Sequence, residues 1–146
     1  MKTDRKLVAD TNIWISRLLM PDGTAAKALD QGLSWGVPLM SEATLSELSE
    51  VLSRRKFDKY VSRKDRQQFL RLLGGIVRLV PIIQRIATCR DPKDDKFLDV
   101  ALNGQAQVIL TGDQDLLELH PFHGIDILKP ADFLTWLRPV HESSDK

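Results

Sequence analysis

The sequence predicts an α/β domain with a central, mainly parallel β-sheet. Short apolar runs of the kind that form buried strands alternate with segments of helical apolar spacing along almost the whole chain, a pattern typical of strand–helix–strand units. No internal repeat or low-complexity segment interrupts this alternation. The chain of 146 residues has the length of one domain and can bury a core without disulfides, which its single cysteine cannot form internally.

Apolar periodicity and capping residues predict the helices. These segments carry apolar residues three and four positions apart, and most begin at a Ser, Thr or Pro and end near a Gly. The predicted helices span residues 12–20, Thr24 to about 33, Ser41 or Thr44 to 52, Ser62 to 73, Pro92 to 103, a brief stretch at 116–119, and 130–137.

Shorter apolar runs between these helices predict the strands. They lie at residues 7–9, 37–40, 76–83, 108–110 and 125–128. The third run contains Pro81, which cannot donate to a strand ladder, so this strand is predicted to be irregular or to lie at an edge. We expect the domain to occupy residues 1–138 and a flexible tail to follow at 139–146.

Carboxylates follow two of the predicted strands. Asp10 comes directly after the first strand, and Asp113 comes shortly after the fourth. Because neighbouring parallel strands end at the same edge of a sheet, these acids are expected to meet there, where α/β proteins bind ligands. Asp95, at the start of a helix, and Glu47, early in the helix after the second strand, can face the same edge.

Each of these acids also has an ordinary structural alternative. Asp10 and Asp113 can cap the helices that follow them, and Glu47 fits a T-x-x-E capping box with Thr44. The acids of the segment RDPKDDKFLD can be favourable charges in the first turns of a helix. The sequence leaves both roles open for each acid, although capping does not explain why four of them converge.

Converging carboxylates repel each other unless a cation neutralises them. The expected ligands are all oxygens, without cysteine or histidine, which favours Mg²⁺ or Mn²⁺ over zinc. A cation held by acids neutralises a phosphate, supplies a hydroxide-like water and steadies the leaving oxygen. The pattern therefore indicates a phosphodiesterase that uses one or two metal ions.

The order of these motifs resembles the PIN-domain family, and more narrowly its VapC-like toxins. The likeness covers nearly the whole chain: VADTN matches a strand ending in Asp-Thr-Asn, LSEL a Glu after the second strand, DPKDDKFLDVAL an Asp opening a later helix, and ILTGDQDLL a strand leading to T-x-D. The resemblance implies a three-layer α/β/α fold. It assigns catalysis and metal binding to four acids: Asp10, Glu47, Asp95 and Asp113.

Further positions follow from the same resemblance. Asp115, two residues beyond the main acid of the fourth strand, is an additional metal ligand in this interpretation. Asp95 is preferred to Asp94 as a ligand because it lies one helical turn before Asp99 and matches the family spacing. The supporting residues are Thr11, Asn12, Asp99 and Thr111.

The implied function is an endoribonuclease that requires Mg²⁺ or Mn²⁺ and hydrolyses RNA phosphodiester bonds as the toxin of a toxin–antitoxin system. The expected partners are RNA, a cognate antitoxin protein and a second copy of the chain in a homodimer. One alternative is a non-catalytic PIN-like module that binds RNA or protein. Another, a phosphotransferase of the haloacid dehalogenase type, requires an Asp where Asn12 stands.

A basic segment at residues 53–66, SRRKFDKYVSRKDR, concentrates cations around two aromatic residues. Such a segment can follow an RNA backbone, but it can equally be a solvated helix pair or the surface that an antitoxin covers. The cations assigned to RNA binding are Arg54, Arg55, Lys56, Lys59 and Arg63.

Composition indicates where the protein functions. No apolar stretch approaches the length of a membrane span, and the charged amino terminus is a poor signal peptide. The net charge of +1 neither indicates nor excludes a nucleic-acid partner. We therefore expect a cytoplasmic protein that does not bind membranes.

Overall fold

The computed structural model describes residues 4–86 and 92–144, and the side chains of residues 4–86 and 93–137. The single cysteine, Cys89, lies outside the described residues. Five strands form a parallel sheet in the order β3-β2-β1-β4-β5. The strands are β1 (Lys6–Ala9), β2 (Val37–Met40), β3 (Arg78–Leu79), β4 (Val108–Leu110) and β5 (Asp126–Leu128).

Helices connect these strands, and seven α-helices lie within the described residues. They are α1 (Thr11–Leu19), α2 (Thr24–Trp35), α3 (Glu42–Leu52), α4 (Arg63–Gly74), α5 (Asp95–Asn103), α6 (Gln114–Leu117) and α7 (Pro130–Ser144). Short 3₁₀ turns lie at Arg55–Phe57 and Pro92–Asp94. In the part of the chain that the structure describes, no helix is long and apolar enough to span a membrane.

The core lies on both faces of the sheet. Leu7 and Ala9 of β1 pack into one apolar cluster with side chains of α1, α2, α3, α4 and α7. Val8, which points to the opposite face, packs into a second cluster with side chains of α5 and α6. Helices therefore cover both faces, and the predicted three-layer α/β/α architecture is confirmed.

The turn between α2 and β2 depends on a glycine. A Cβ at Gly36 would lie 2.5 Å from the carbonyl oxygen of Arg5, so any side chain there would push the two segments apart. The N–H of Val37 donates to the same carbonyl at 2.8 Å. This contact starts the pairing of Lys6 with Val37, so that β1 and β2 end at the same edge of the sheet.

Some predicted bounds were wrong. β3 contains only Arg78–Leu79 of the predicted 76–83. Val80 makes one further hydrogen bond to β2, and the strand ends there because Pro81 has no N–H to continue the ladder. Helix α7 continues to Ser144 rather than ending at 137. The boundary at residue 138 and the flexibility of residues 139–146 stay predictions.

Candidate active site

The adjacent strands β1 and β4 end on a pair of polar residues. The N–H of Asp10 donates to the carbonyl of Leu110 at 3.1 Å, which extends the parallel pairing by one residue. The Asp10 carboxylate accepts the N–H of Ile13 at 2.9 Å through Oδ1 and the hydroxyl of the buried Thr111 through Oδ2. Thr111 in turn accepts the N–H of Asp113 at 2.9 Å. Asp10 therefore caps α1, as the structural alternative proposed, and also lies at the strand edge.

The ionised form of Asp10 is unfavourable in the folded protein. Burial raises the pKa of Asp10 above its ordinary value, and the neighbouring Asp113 carboxylate raises it further. Hydrogen bonds from Thr111 and Ile13 lower the pKa and only partly offset the effect of burial. A cation nearby would remove this cost, because it favours the charged form.

Asp10→Asn is expected to increase the free energy of unfolding of the metal-free protein at pH 7, because the amide avoids the cost of a buried charge. The pKa of Asp10 is raised in the folded state. Ionisation of Asp10 therefore leaves the free energy of unfolding unchanged below the ordinary aspartate pKa and lowers it as the pH rises through the folded-state pKa. The gain should therefore be small in acid and largest at neutral pH. Urea unfolding at several pH values measures it, with the exposed Asp22→Asn as control. Lower stability of Asp10→Asn at pH 7 would contradict the prediction.

Glu47 does not form the capping box that its spacing to Thr44 suggests. Ser41 caps α3, and Thr44 is its partner in the box. Glu47 instead accepts the hydroxyl of Thr11 through Oε2 and the ammonium of Lys96, at 2.8 Å, through Oε1. Its carboxylate therefore faces α1 and α5 rather than its own helix end.

Three carboxylates approach each other closely enough to share a cation. One oxygen from each of Asp94, Asp113 and Asp115 lies within 4.8 Å of the other two. Asp113 also caps α6, since its Oδ1 accepts the N–H of Asp115 at 2.8 Å. Asp94 occupies the N-cap position of α5, but its side chain makes no capping hydrogen bond.

The strand-end acids line one open cavity of about 310 Å³. Its acidic residues are Asp10, Glu47, Asp94 and Asp113. Three exposed cations also line it: Arg54, Lys56 and Lys93. Thr11 and Asn12, predicted as supporting residues, lie there too. The cavity thus combines a cluster of carboxylates with a cationic rim, defined here as Arg54, Lys56 and Lys93.

Two predicted acids, Asp95 and Asp99, neither line this cavity nor belong to the group of Asp94, Asp113 and Asp115. Asp95 does not line this cavity, and the acid that does is its neighbour Asp94. Asp99 is buried and accepts the N–H of Ile86 at 2.6 Å, so it fixes the segment after β3 rather than the acidic cavity. It lines a different cavity, which it shares with Lys96.

The basic segment divides into residues with different positions. Arg54 and Lys56 belong to the cationic rim, whereas Arg55, Lys59 and Arg63 are exposed and do not line the acidic cavity. Arg66 is buried despite its charge. Its guanidinium donates to the carbonyls of Leu52 and Arg54 at 2.8 and 3.2 Å and to the Asp58 carboxylate at 2.6 Å.

Two cations of the site were missed from the sequence: Lys93 of the rim and Lys96 beside Glu47. A weak signal existed, because both alternate with acids in the segment DPKDDK. Charge alternation of this kind usually marks a solvated helix surface. Their positions follow only from the way α5 packs against α3.

Fold and site together define a class: α/β domains with a carboxylate cluster at the carboxyl edge of a parallel sheet. A family model described as the PIN domain matches residues 6–115, and the chain belongs to the PIN-domain family. The sequence is 35% identical over 118 residues to the uncharacterized protein MJ1680 of Methanocaldococcus jannaschii, which covers 78% of this chain and 74% of that protein.

The solved structures include a similar fold. The crystal structure of VapBC2 from Rickettsia felis, bound to a DNA fragment from its promoter, contains a chain that matches with a TM-score of 0.58. The two chains are 12% identical, and the match covers 85% of this chain and 98% of that one. The family model therefore confirms the predicted resemblance to the PIN-domain family, and the VapBC2 chain shares the fold.

Proposed function

We propose that this protein is a metal-dependent endoribonuclease that hydrolyses RNA phosphodiester bonds. The observation that carries the proposal is the cavity in which Asp10 and Asp113, from the ends of adjacent strands, meet Asp94 and Glu47 beneath a cationic rim. Carboxylates suit a divalent cation, and exposed cations around them suit the phosphates of a nucleic acid. Membership of the PIN-domain family, whose members are typically nucleases, supports the same conclusion.

The residues of the cavity fit a divalent metal ion. The donors are all carboxylate oxygens, which favour Mg²⁺ or Mn²⁺. The group of Asp94, Asp113 and Asp115 would hold the ion, and Asp10 would face it from the adjacent strand. When bound, such an ion neutralises the phosphate and makes water a stronger acid at neutral pH. We therefore assign Asp94, rather than the predicted Asp95, as the ligand at the start of α5.

The remaining polar residues orient the acids. Thr111 holds the Asp10 carboxylate in one position and also receives the Asp113 N–H, so that one hydroxyl links both strand-end acids. Thr11 donates its hydroxyl to Glu47 and so fixes that carboxylate. Fixed carboxylates reduce the rearrangement needed when substrate binds, which is how supporting residues assist catalysis.

RNA binding is expected to depend on the cationic rim more than on the rest of the basic segment. Arg54→Gln and Lys56→Gln should each weaken binding of a single-stranded RNA and reduce the slope of log K against log salt concentration by about 0.7. Lys59→Gln, an exposed cation of the same segment outside the cavity, should change the slope much less.

Fluorescence anisotropy across a salt series measures this difference, with Asp10→Asn in every variant so that RNA is not cut during the titration. Equal losses of RNA affinity in Lys56→Gln and Lys59→Gln would mean that the segment attracts RNA only through its overall charge. The rim would then have no particular role.

Cleavage of a mixed RNA pool tests the proposed function. Purified protein is incubated with Mg²⁺ or Mn²⁺, with EDTA, and as the Asp10→Asn variant, and the product ends are mapped. We expect metal-dependent cleavage that leaves 5′-phosphate and 3′-hydroxyl ends, because water rather than the ribose 2′-hydroxyl is the nucleophile. RNA binding without cleavage would favour the non-catalytic PIN-like alternative, and equal cleavage by Asp10→Asn would place the activity outside this site.

The proposed biological role is the toxin of a toxin–antitoxin system, acting in the cytoplasm as a homodimer and inhibited by a cognate antitoxin. The similarity in fold to a chain of the VapBC2 structure supports the role. Inducing the chain in a bacterial host should arrest growth, whereas Asp10→Asn should not. Growth arrest by both forms would argue against toxicity through RNA cleavage.

A further inference from the structure

The ion pair between Lys96 and Glu47 lies beside the metal-binding acids. Lys96 Nζ is 2.8 Å from Oε1 of Glu47, while Thr11 donates its hydroxyl to Oε2. Both oxygens of Glu47 therefore already accept a hydrogen bond. The two side chains are only 25% and 27% exposed, so water screens their attraction less than it would at a fully exposed surface.

Glu47 is separate from the three-aspartate group. The ligand oxygens of Asp94, Asp113 and Asp115 lie within 4.8 Å of each other, and Glu47 is not part of this set although it lines the same cavity. The cavity therefore contains two anionic centres. One is the aspartate group, whose oxygens are close enough to share an added cation, and the other is Glu47, which forms an ion pair with Lys96.

We propose that the Lys96 ammonium is a permanent cation of the active site, so that this chain takes one divalent ion where Glu47 would otherwise help to hold a second. The proposal rests on the proposed function and concerns the same site. The single divalent ion would lie at Asp94, Asp113 and Asp115, while Lys96 stays paired with Glu47.

The proposal also gives Lys96 a contact with a substrate phosphate that binds beside Glu47. An ammonium has three N–H donors, and the hydrogen bond to Glu47 uses one of them. Lys96 itself lines the neighbouring cavity, but the face of the Phe97 ring, which lines the acidic cavity, lies 5.9 Å from its Nζ. Glu47 holds the ammonium in place, and a second donor can bind a non-bridging phosphate oxygen.

Counting bound Mn²⁺ tests the proposal. Mn²⁺ is titrated into the full chain, and the free ion is measured by its electron paramagnetic resonance signal. We expect one tightly bound ion in the parent and two in Lys96→Met, because the freed Glu47 carboxylate then holds the second. Lys96→Arg, which keeps the charge, and Lys56→Met, which removes a cation of the rim, should each retain one.

A double variant shows where the additional ion binds. Lys96→Met combined with Glu47→Gln should return to one ion, because the amide no longer neutralises or binds a cation strongly. Two ions in the parent, or one ion in Lys96→Met, would overturn the proposal and leave the proposed nuclease function intact. Absence of any tightly bound Mn²⁺ in the parent would overturn both.

RNA cleavage provides a second measurement. Removing a fixed charge that stabilises the reacting phosphate typically slows an enzyme by about 100-fold, and we expect a loss of that order for Lys96→Met at low Mn²⁺. Raising the Mn²⁺ concentration should restore part of the rate in Lys96→Met but not in the double variant. A rate for Lys96→Met equal to the parent at every Mn²⁺ concentration would overturn the proposal.

Discussion

Asp94→Asn is expected to lower the rate of RNA cleavage by at least about 100-fold. Replacing even a residue that only orients a metal ligand typically lowers activity or metal affinity by about 10- to 100-fold. Asp95→Asn should leave the rate within a few-fold of the parent. The reason is position: Asp94 lines the acidic cavity and approaches Asp113 and Asp115, whereas Asp95 does not line it. The two substitutions make the same chemical change at adjacent residues, so each controls for the other.

Metal affinity and stability, measured on the same two variants, separate metal binding from folding. Mn²⁺ affinity should fall in Asp94→Asn and stay unchanged in Asp95→Asn, and urea unfolding shows whether either substitution also changes the stability of the fold. A larger loss of Mn²⁺ affinity in Asp95→Asn than in Asp94→Asn would make Asp95 the ligand, as the sequence predicted. Equal losses of Mn²⁺ affinity in both variants would indicate that metal binding depends on both carboxylates at the start of α5 rather than on one of them.

The fold and the strand-end acids could be predicted from the sequence because both depend on local patterns. A parallel sheet brings the ends of adjacent strands together whatever the loops contain, so the pattern of apolar runs was enough to pair Asp10 with Asp113. The choice between Asp94 and Asp95 stays a prediction, because it depends on how the chain enters α5. Asp95 and Asp99 lie one turn apart within α5, whereas Asp94 lies in the 3₁₀ turn before it, and helical spacing alone does not show which of the two neighbours lines the cavity.

Other features depended on contacts between distant parts of the chain. The T-x-x-E spacing of Thr44 and Glu47 suggested a capping box, but Ser41 begins the helix one turn earlier and takes Thr44 as its partner. Glu47 was then available to pair with Lys96, 49 residues away. No pattern in the sequence marks that pair, since it arises from the packing of α3 against α5.

Arg66 shows why the charges of the basic segment could not be ranked from sequence. Counted as one of seven cations between residues 53 and 66, it looks like part of a solvated surface. In the structure it is 3% exposed and joins α4 to the end of α3 and the loop after it. That loop carries Arg54 and Lys56 to the rim, so a buried cation positions two exposed ones.

Arg66→Met should lower the free energy of unfolding by about 2–3 kcal/mol, because the carbonyls of Leu52 and Arg54 lose buried charged donors. Arg66→Lys should lose most of the same stability, since one ammonium cannot reproduce the forked contacts of a guanidinium. Arg63→Met, an exposed arginine on the same helix, should change stability by no more than about 0.5 kcal/mol. Urea unfolding followed by circular dichroism measures all three.

The same substitution should weaken RNA binding under conditions where the variant is still folded. If Arg66 only stabilises the fold, Arg66→Met will bind RNA like the parent at low temperature, where both are native. If it also holds the loop that carries Arg54 and Lys56, affinity will fall and the salt dependence will become shallower, as in the rim variants. We expect the second result, because the guanidinium bonds directly to the carbonyl of Arg54 and so fixes the backbone from which a rim cation extends.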